Sequence, residues 1–245
     1  MSAPGTARAP VLALALLVAA MAGAPGGARA CGLELILAVD VSGSVDEAEF
    51  AVQMGGLADA FANAAVAAAI AEVEGGIIAT LTQWSGVSRQ RQMVGWHRIG
   101  DAASAAAFAA AIRSTGRAWR NFSTAIGEAI AHAHAIGAEA PEDCRRRVID
   151  ISGDGISNEG RRPRPVADAV AAAGYTINAL VIRGAEPDPL EEYMTQVIAG
   201  PGAFVEVAES FDAYPEAIRR KLLREIEQPM ALSQAPGGRG PVAPR

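Results

Sequence analysis

Leu33 to Val39 is an apolar run broken only by Glu34, and shorter β-rich runs recur at Ile77 to Trp84, Arg147 to Ser152, Tyr175 to Ile182 and Ala203 to Val207. Runs of this length between polar or glycine-bearing segments predict strands, the first of them buried on both faces. A further run, Gln90 to Ile99, follows Ile77 to Trp84 after only Ser85-Gly86-Val87-Ser88. That short link predicts a hairpin and so one antiparallel edge strand.

The intervening segments carry a helical period. From Asp46 to Ala71, apolar residues Val45, Ala48, Val52, Leu57, Phe61 and Val66 recur at three- to five-residue steps, with acids in the first turn and Gly75-Gly76 as a stop. Asp101 to Ile112, Thr124 to about Ala138, Val166 to Ala173, Leu190 to Ile198 and Phe211 to Ile226 read the same way. Alternating strands and helices predict an α/β fold: a doubly wound, mostly parallel six-stranded sheet with one antiparallel edge strand and helices on both faces.

The first thirty residues have a different character. Arg8 precedes a charge-free Val11 to Ala22 stretch, and Ala28-Arg29-Ala30 ends the segment. Its apolar core is too short to span a bilayer of about 30 Å, so residues 1–30 read as a secretory signal peptide with no stable membrane insertion after cleavage. The expected location is periplasmic or secreted; a lipid on Cys31 competes, but Ala28 stands where such signals carry a bulky aliphatic residue. Residues 31–227 suit one domain, and 228–245, rich in Pro, Gly and small residues, read as a disordered tail.

Removing the signal, which holds two Arg and no acid, takes the net charge from −6 to −8. An acidic chain without a basic stripe excludes the usual electrostatic footprint of nucleic-acid binding. Cys31 and Cys144 are the only cysteines, each at the approach to a predicted central strand. An oxidising compartment permits a bridge between them, and two separate thiols remain the alternative.

Candidate chemistry gathers where strands end. Asp40-x-Ser42-x-Ser44 follows the first strand, Ser123-Thr124-Ala125-Ile126-Gly127 opens a helix, and Asp154-Gly155 follows Arg147 to Ser152. Ligands of open α/β sheets bind at such C-terminal strand ends. Carboxylate and hydroxyl oxygens suit Mg²⁺, with Mn²⁺ as its alternative, better than Zn²⁺. D-x-S-x-S alone arises by chance in roughly one chain of this size in twenty, and Ser42 and Ser44 could simply cap the next helix.

Taken together, the three loops resemble the metal-ion-dependent adhesion site of the von Willebrand factor type A domain family, over roughly Leu33 to Arg224. Ile151-Ser152-Gly153-Asp154-Gly155 and Gly200-Pro201-Gly202-Ala203-Phe204 look like an exported bacterial branch of it. The resemblance implies that Asp40, Ser42, Ser44, Thr124 and Asp154 surround one divalent cation, with Ser123 as the alternative to Thr124. It implies a binding or adhesion function in which a protein partner's carboxylate fills an exchangeable position. In this family the first and fourth strands are neighbours, which implies a Cys31–Cys144 bridge. Integrin-type members couple the site to displacement of the final helix; here a fixed helix held by Phe211, Tyr214, Ile218, Leu222 and Leu223 is the simpler expectation.

The competing functions fit less well. A dehalogenase-type phosphatase needs a second Asp where Ser42 stands, and the hydrolase elbow G-x-S-x-G is absent around Ser42. Asn158 stands where Gly153-x-Gly155 would need a third glycine for a dinucleotide loop. A non-enzymatic domain is therefore expected, the main alternative being a structural domain with a vestigial site and the lesser one a metal-dependent hydrolase. His97, His132 and His134 share no helical or strand face and are not expected ligands. Asp150, inside a covered strand, is expected to be paired, with backbone or an Arg, or to support the metal site.

Overall fold

A computed structural model describes residues 31–228. The sheet has the order β3-β2-β1-β4-β5-β6, built from β1 (Cys31–Asp40), β2 (Ile77–Trp84), β3 (Gln90–Ile99), β4 (Cys144–Gly153), β5 (Thr176–Ile182) and β6 (Val205–Ala208). Every pairing is parallel except β2 with β3, as the short hairpin link Ser85 to Arg89 requires. The expected α/β architecture is therefore the observed one, antiparallel edge included.

β1 lies at the middle, and both its faces are covered. Leu33, Leu35, Leu37 and Val39 pack with Phe50, Leu57, Phe61, Phe108 and Leu222 from α1 (Glu47–Ala62), α3 (Ala102–Arg113) and α7 (Tyr214–Glu227). Ile36 and Ala38 face the other way, onto Ile126 and Ile130 of α4 (Ile126–Ala138) and Val170 of α5 (Pro163–Ala172). Each buried Leu or Ile contributes about 1.5–3 kcal/mol. Two-sided burial explains the nearly continuous apolar run, because the period of two in a strand points alternate residues into both cores.

Several boundaries differ from the sequence pattern for local reasons. The helix expected over 46–71 divides into α1 and α2 (Ala64–Glu72), bent by 56°. Asn63 sits between them in an extended conformation and accepts from the Ala65 amide at 2.9 Å, so it caps the second helix. β4 starts at Cys144 rather than Arg147, because Cys31 pairs opposite Cys144 and the two are joined as a disulfide. The short helix near 190 begins as α6 (Leu190–Glu192) and widens into a π-helical turn, Tyr193–Val197. The final helix opens with a 3₁₀ turn at Phe211–Ala213.

Among the described residues Asp150 is paired with neither backbone nor Arg. Lys221 of α7 places its ammonium 2.7 Å from it, and both side chains are buried. The signal segment and nearly all of the expected tail, residues 229–245, lie outside the described residues. Among the described residues no single helix is long and apolar enough to cross a membrane.

Candidate metal centre

β1 and β4 are neighbours and run parallel, so their C-terminal ends deliver Asp40 and Asp154 to the same edge of the sheet. At Asp40 the chain turns sharply. The Ser42 amide donates to Asp40 Oδ1 at 2.7 Å, which fixes one carboxylate oxygen and aims Ser42 and Ser44 to the same side. Their hydroxyls lie 3.2 Å apart, and Ser44 Oγ donates to Asp154 Oδ1 at 2.7 Å. Asp40, Ser42, Thr124 and Asp154 are buried, while Ser44 is open to solvent.

The second loop is held from two directions. Thr124 and Asn158 exchange hydrogen bonds, the Asn158 amide to the Thr124 carbonyl and the Thr124 amide to Asn158 Oδ1, both at 2.9 Å. Thr124 Oγ1 then faces Gly155 beside Ser44 Oγ: a Cβ on Gly155 would stand 3.6 and 3.9 Å from these two oxygens. Ser123 turns away, its carbonyl accepting from Ser85 Oγ at 3.0 Å and its side chain lying against Gly86. Gly43 donates to the Phe122 carbonyl at 2.8 Å, and a Cβ there would meet Asn121 at 3.3 Å, so the first and second loops are in direct contact. Asn121 makes that approach with a φ of 60°, in the left-handed region that Asn tolerates.

Three residues that the motif does not contain complete the setting. Arg117 donates to the Val41 and Ser42 carbonyls at 3.1 and 2.8 Å and so holds the D-x-S-x-S turn from outside. Asn158 fixes Thr124 as described. Tyr193 reaches in from the π-helical turn, fully buried. A basic residue in a polar loop, an Asn in another and a Tyr on a short helix carry no signature of this role in the sequence; only the G-D-G context of Asn158 hinted at it.

The electrostatics are unbalanced. Burial first, and then the charge of Asp154, push the Asp40 acid up to about 8. Burial also raises Asp154, against the hydrogen bond from Ser44. Asp40 Oδ2 is buried and has no hydrogen-bond partner among the described residues, an expensive arrangement for a carboxylate oxygen. A hard divalent cation fits this donor set: two carboxylates held close together, three hydroxyls beside them and one orphaned carboxylate oxygen. Among the described residues no cluster of three or more His, Cys, Asp or Glu side chains is placed to hold a metal, so such a cation would depend on the hydroxyls.

Residues 30–230 match the profile of the family described as "Protein of unknown function (DUF1194)". The chain belongs to this family. Its fold is that of the von Willebrand factor type A domain, as comparison with solved structures shows. Proximal thread matrix protein 1 from the mussel byssus, "with zinc occupied MIDAS motif", superposes with a TM-score of 0.56 at 14% identity, over 80% of this chain and 46% of that one. The pilus adhesin SpaC from Lactobacillus rhamnosus GG gives 0.58 at 14% identity, over 80% and 31%. A von Willebrand factor type A structure from Catenulispora acidiphila gives 0.55 at 20% identity, over 80% and 43%. This chain thus spans less than half the length of each of these three. No curated protein matched the sequence.

Proposed function

We propose that this DUF1194 chain is an exported, non-enzymatic binding domain that holds a divalent cation, Mg²⁺ or Mn²⁺, with Asp40, Ser42, Ser44, Thr124 and Asp154, and that captures an acidic group of a protein partner there. The orphaned, buried Asp40 Oδ2 beside three hydroxyls and a second carboxylate carries the reading. A bound cation of this kind supplies an exchangeable position with a preference for anionic oxygen.

The protein's own residues prepare that position. Asp40 and Asp154 contribute the charge, while Ser42, Ser44 and Thr124 contribute neutral oxygens that leave a cation under-neutralised. Arg117 and Asn158 hold the loops that present them. Exposed Ser44 marks the solvent-facing side, where a partner's carboxylate would approach. Structural likeness to a pilus adhesin and to a byssus matrix protein is in keeping with a binding role. The Cys31–Cys144 bridge is in keeping with an oxidising compartment and with residues 1–30 acting as an export signal.

Calorimetric and thermal-shift titration with Mg²⁺ and Mn²⁺ tests the site. Binding heat is expected for the wild type, with a stabilisation of about 2.7 kcal/mol at a hundredfold excess of cation over Kd. Asp40→Ala and Asp154→Ala should lose both responses while circular dichroism shows a retained fold. A wild type with neither heat nor thermal shift would make the site vestigial and the domain structural.

A further inference from the structure

Tyr193 is the residue of this neighbourhood with the least obvious reason to be there. It is fully buried, yet its hydroxyl has no hydrogen-bond partner among the described residues. The facing acceptor is in the same condition: Asp40 Oδ1 is occupied by the Ser42 amide, but Oδ2 is not. Between them lies Gly153. A Cβ at Gly153 would stand 2.4 Å from the Tyr193 hydroxyl and 2.9 Å from Asp40 Oδ2, so only glycine leaves the two oxygens room to approach, directly or through one water. A buried donor and a buried acceptor flanking one gap, both unsatisfied, call for an explanation beyond packing.

The backbone around Tyr193 points the same way. Its carbonyl accepts from the Ile198 amide, five residues on, at 3.1 Å, which is the widened bond of a π turn, a feature frequent at functional sites. The preceding residue, Glu192, accepts from the Ser157 amide at 2.9 Å. The segment that carries Tyr193 is therefore tied to the loop that follows Asp154.

We propose that Tyr193 is a positioning residue for Asp40: once a cation is held, its hydroxyl donates to one lone pair of Oδ2 across the space left by Gly153, which sets the carboxylate's orientation toward Ser42 and Ser44 and leaves the other lone pair to the cation. The inference rests on the metal reading above. Hydrogen bonds to carboxylate ligands commonly set metal affinity, and their loss weakens it 10- to 100-fold.

Tyr193→Phe removes one oxygen and little volume. Mn²⁺ titration of this variant should give a Kd weakened about tenfold or more, with the metal-free melting temperature unchanged or raised because an unsatisfied hydroxyl is gone. In the wild type, Mn²⁺ should produce a tyrosine near-ultraviolet difference spectrum that Tyr193→Phe abolishes. Gly153→Ala, which fills the gap, should weaken Mn²⁺ in the same direction. Wild-type affinity in a folded Tyr193→Phe, or a lowered metal-free melting temperature with an unchanged Kd, overturns the proposal and leaves the metal reading standing. Should Tyr193→Phe fail to fold, a wild-type difference spectrum that Gly153→Ala leaves intact overturns it instead. No Mn²⁺ binding by the wild type overturns both.

Discussion

Glu34 interrupts the apolar run of β1 on the face it shares with Ile36 and Ala38. The Tyr175 hydroxyl donates to it at 3.0 Å, and Gly137 leaves space for both groups. Burial pushes the Glu34 acid up to about 7, against the pull of that hydrogen bond and of Arg147. With the folded value raised, the folded state keeps a proton that the unfolded chain has released between about pH 4.5 and 7, so stability falls as pH rises through that window. Discounted for solvent screening, the loss is about 1–2 kcal/mol. Glu34→Gln keeps an acceptor for Tyr175 and removes the titration. Urea unfolding at pH 5, 6, 7 and 8 should show the variant gaining on the wild type across this range; a constant difference would refute the assignment. At this scale the sequence was readable where chemistry coincided with position. Asp40, Ser42, Ser44 and Asp154 follow strand ends and Thr124 precedes a helix, positions a sequence pattern marks, whereas the contacts of Arg117 and the placement of Tyr193 depend on orientations that residue type does not encode.

Lys221 ties the final helix to the sheet through charge as well as packing. Its ammonium lies between Asp150 of β4 and Glu225 of its own helix, all three side chains buried, and Asn178 of β5 donates to Glu225 at 2.9 Å. Arg146 donates to the Glu225 and Ile226 carbonyls at the helix end, at 2.9 and 3.1 Å. Burial would lower the Lys221 ammonium, but Asp150 and Glu225 outweigh it and hold the group charged. Removing the cation alone should be severe: Lys221→Met strands two buried carboxylates and is expected to cost about 3–5 kcal/mol. The triple variant Lys221→Met, Asp150→Asn, Glu225→Gln should recover most of that loss in urea unfolding. Equal losses in the single and triple variants would show that packing, not charge balance, dominates. The same network favours a fixed helix over a displaced one, because sliding α7 would separate its charges. Element types were legible because their periods are strong, including the apolar stripe of this helix. The break at Asn63 was not, since a cap interrupting a continuous apolar pattern leaves the pattern intact. Nor was the partner of Asp150, which is 71 residues away from it in sequence.

Across the molecule, strand periodicity named the six strands, but their neighbours entered through the family resemblance. Pattern alone does not say which strands pair. The order matters for the site, because β1 and β4 must be adjacent and in register for Asp40 and Asp154 to emerge together. A one-residue slip would turn either strand's core residues to the wrong face. The Cys31–Cys144 bridge closes the far end of that same pair.

Were the domain to hold a partner as proposed, force would pass through it, and the bridge would decide the route. With handles before Cys31 and after Gln228, tension enters at residue 31, crosses the sulfurs to residue 144 and bypasses the 113-residue separation between them. Full extension in an optical trap should therefore be roughly 370–410 Å shorter for the oxidised protein than for the reduced one. Equal contour lengths would contradict the bridge. Under such a load Asp40, Ser42, Ser44 and Thr124 sit in the slack loop, and Asp154 alone lies on the taut segment, so pulling would reach the proposed cation site through a single carboxylate.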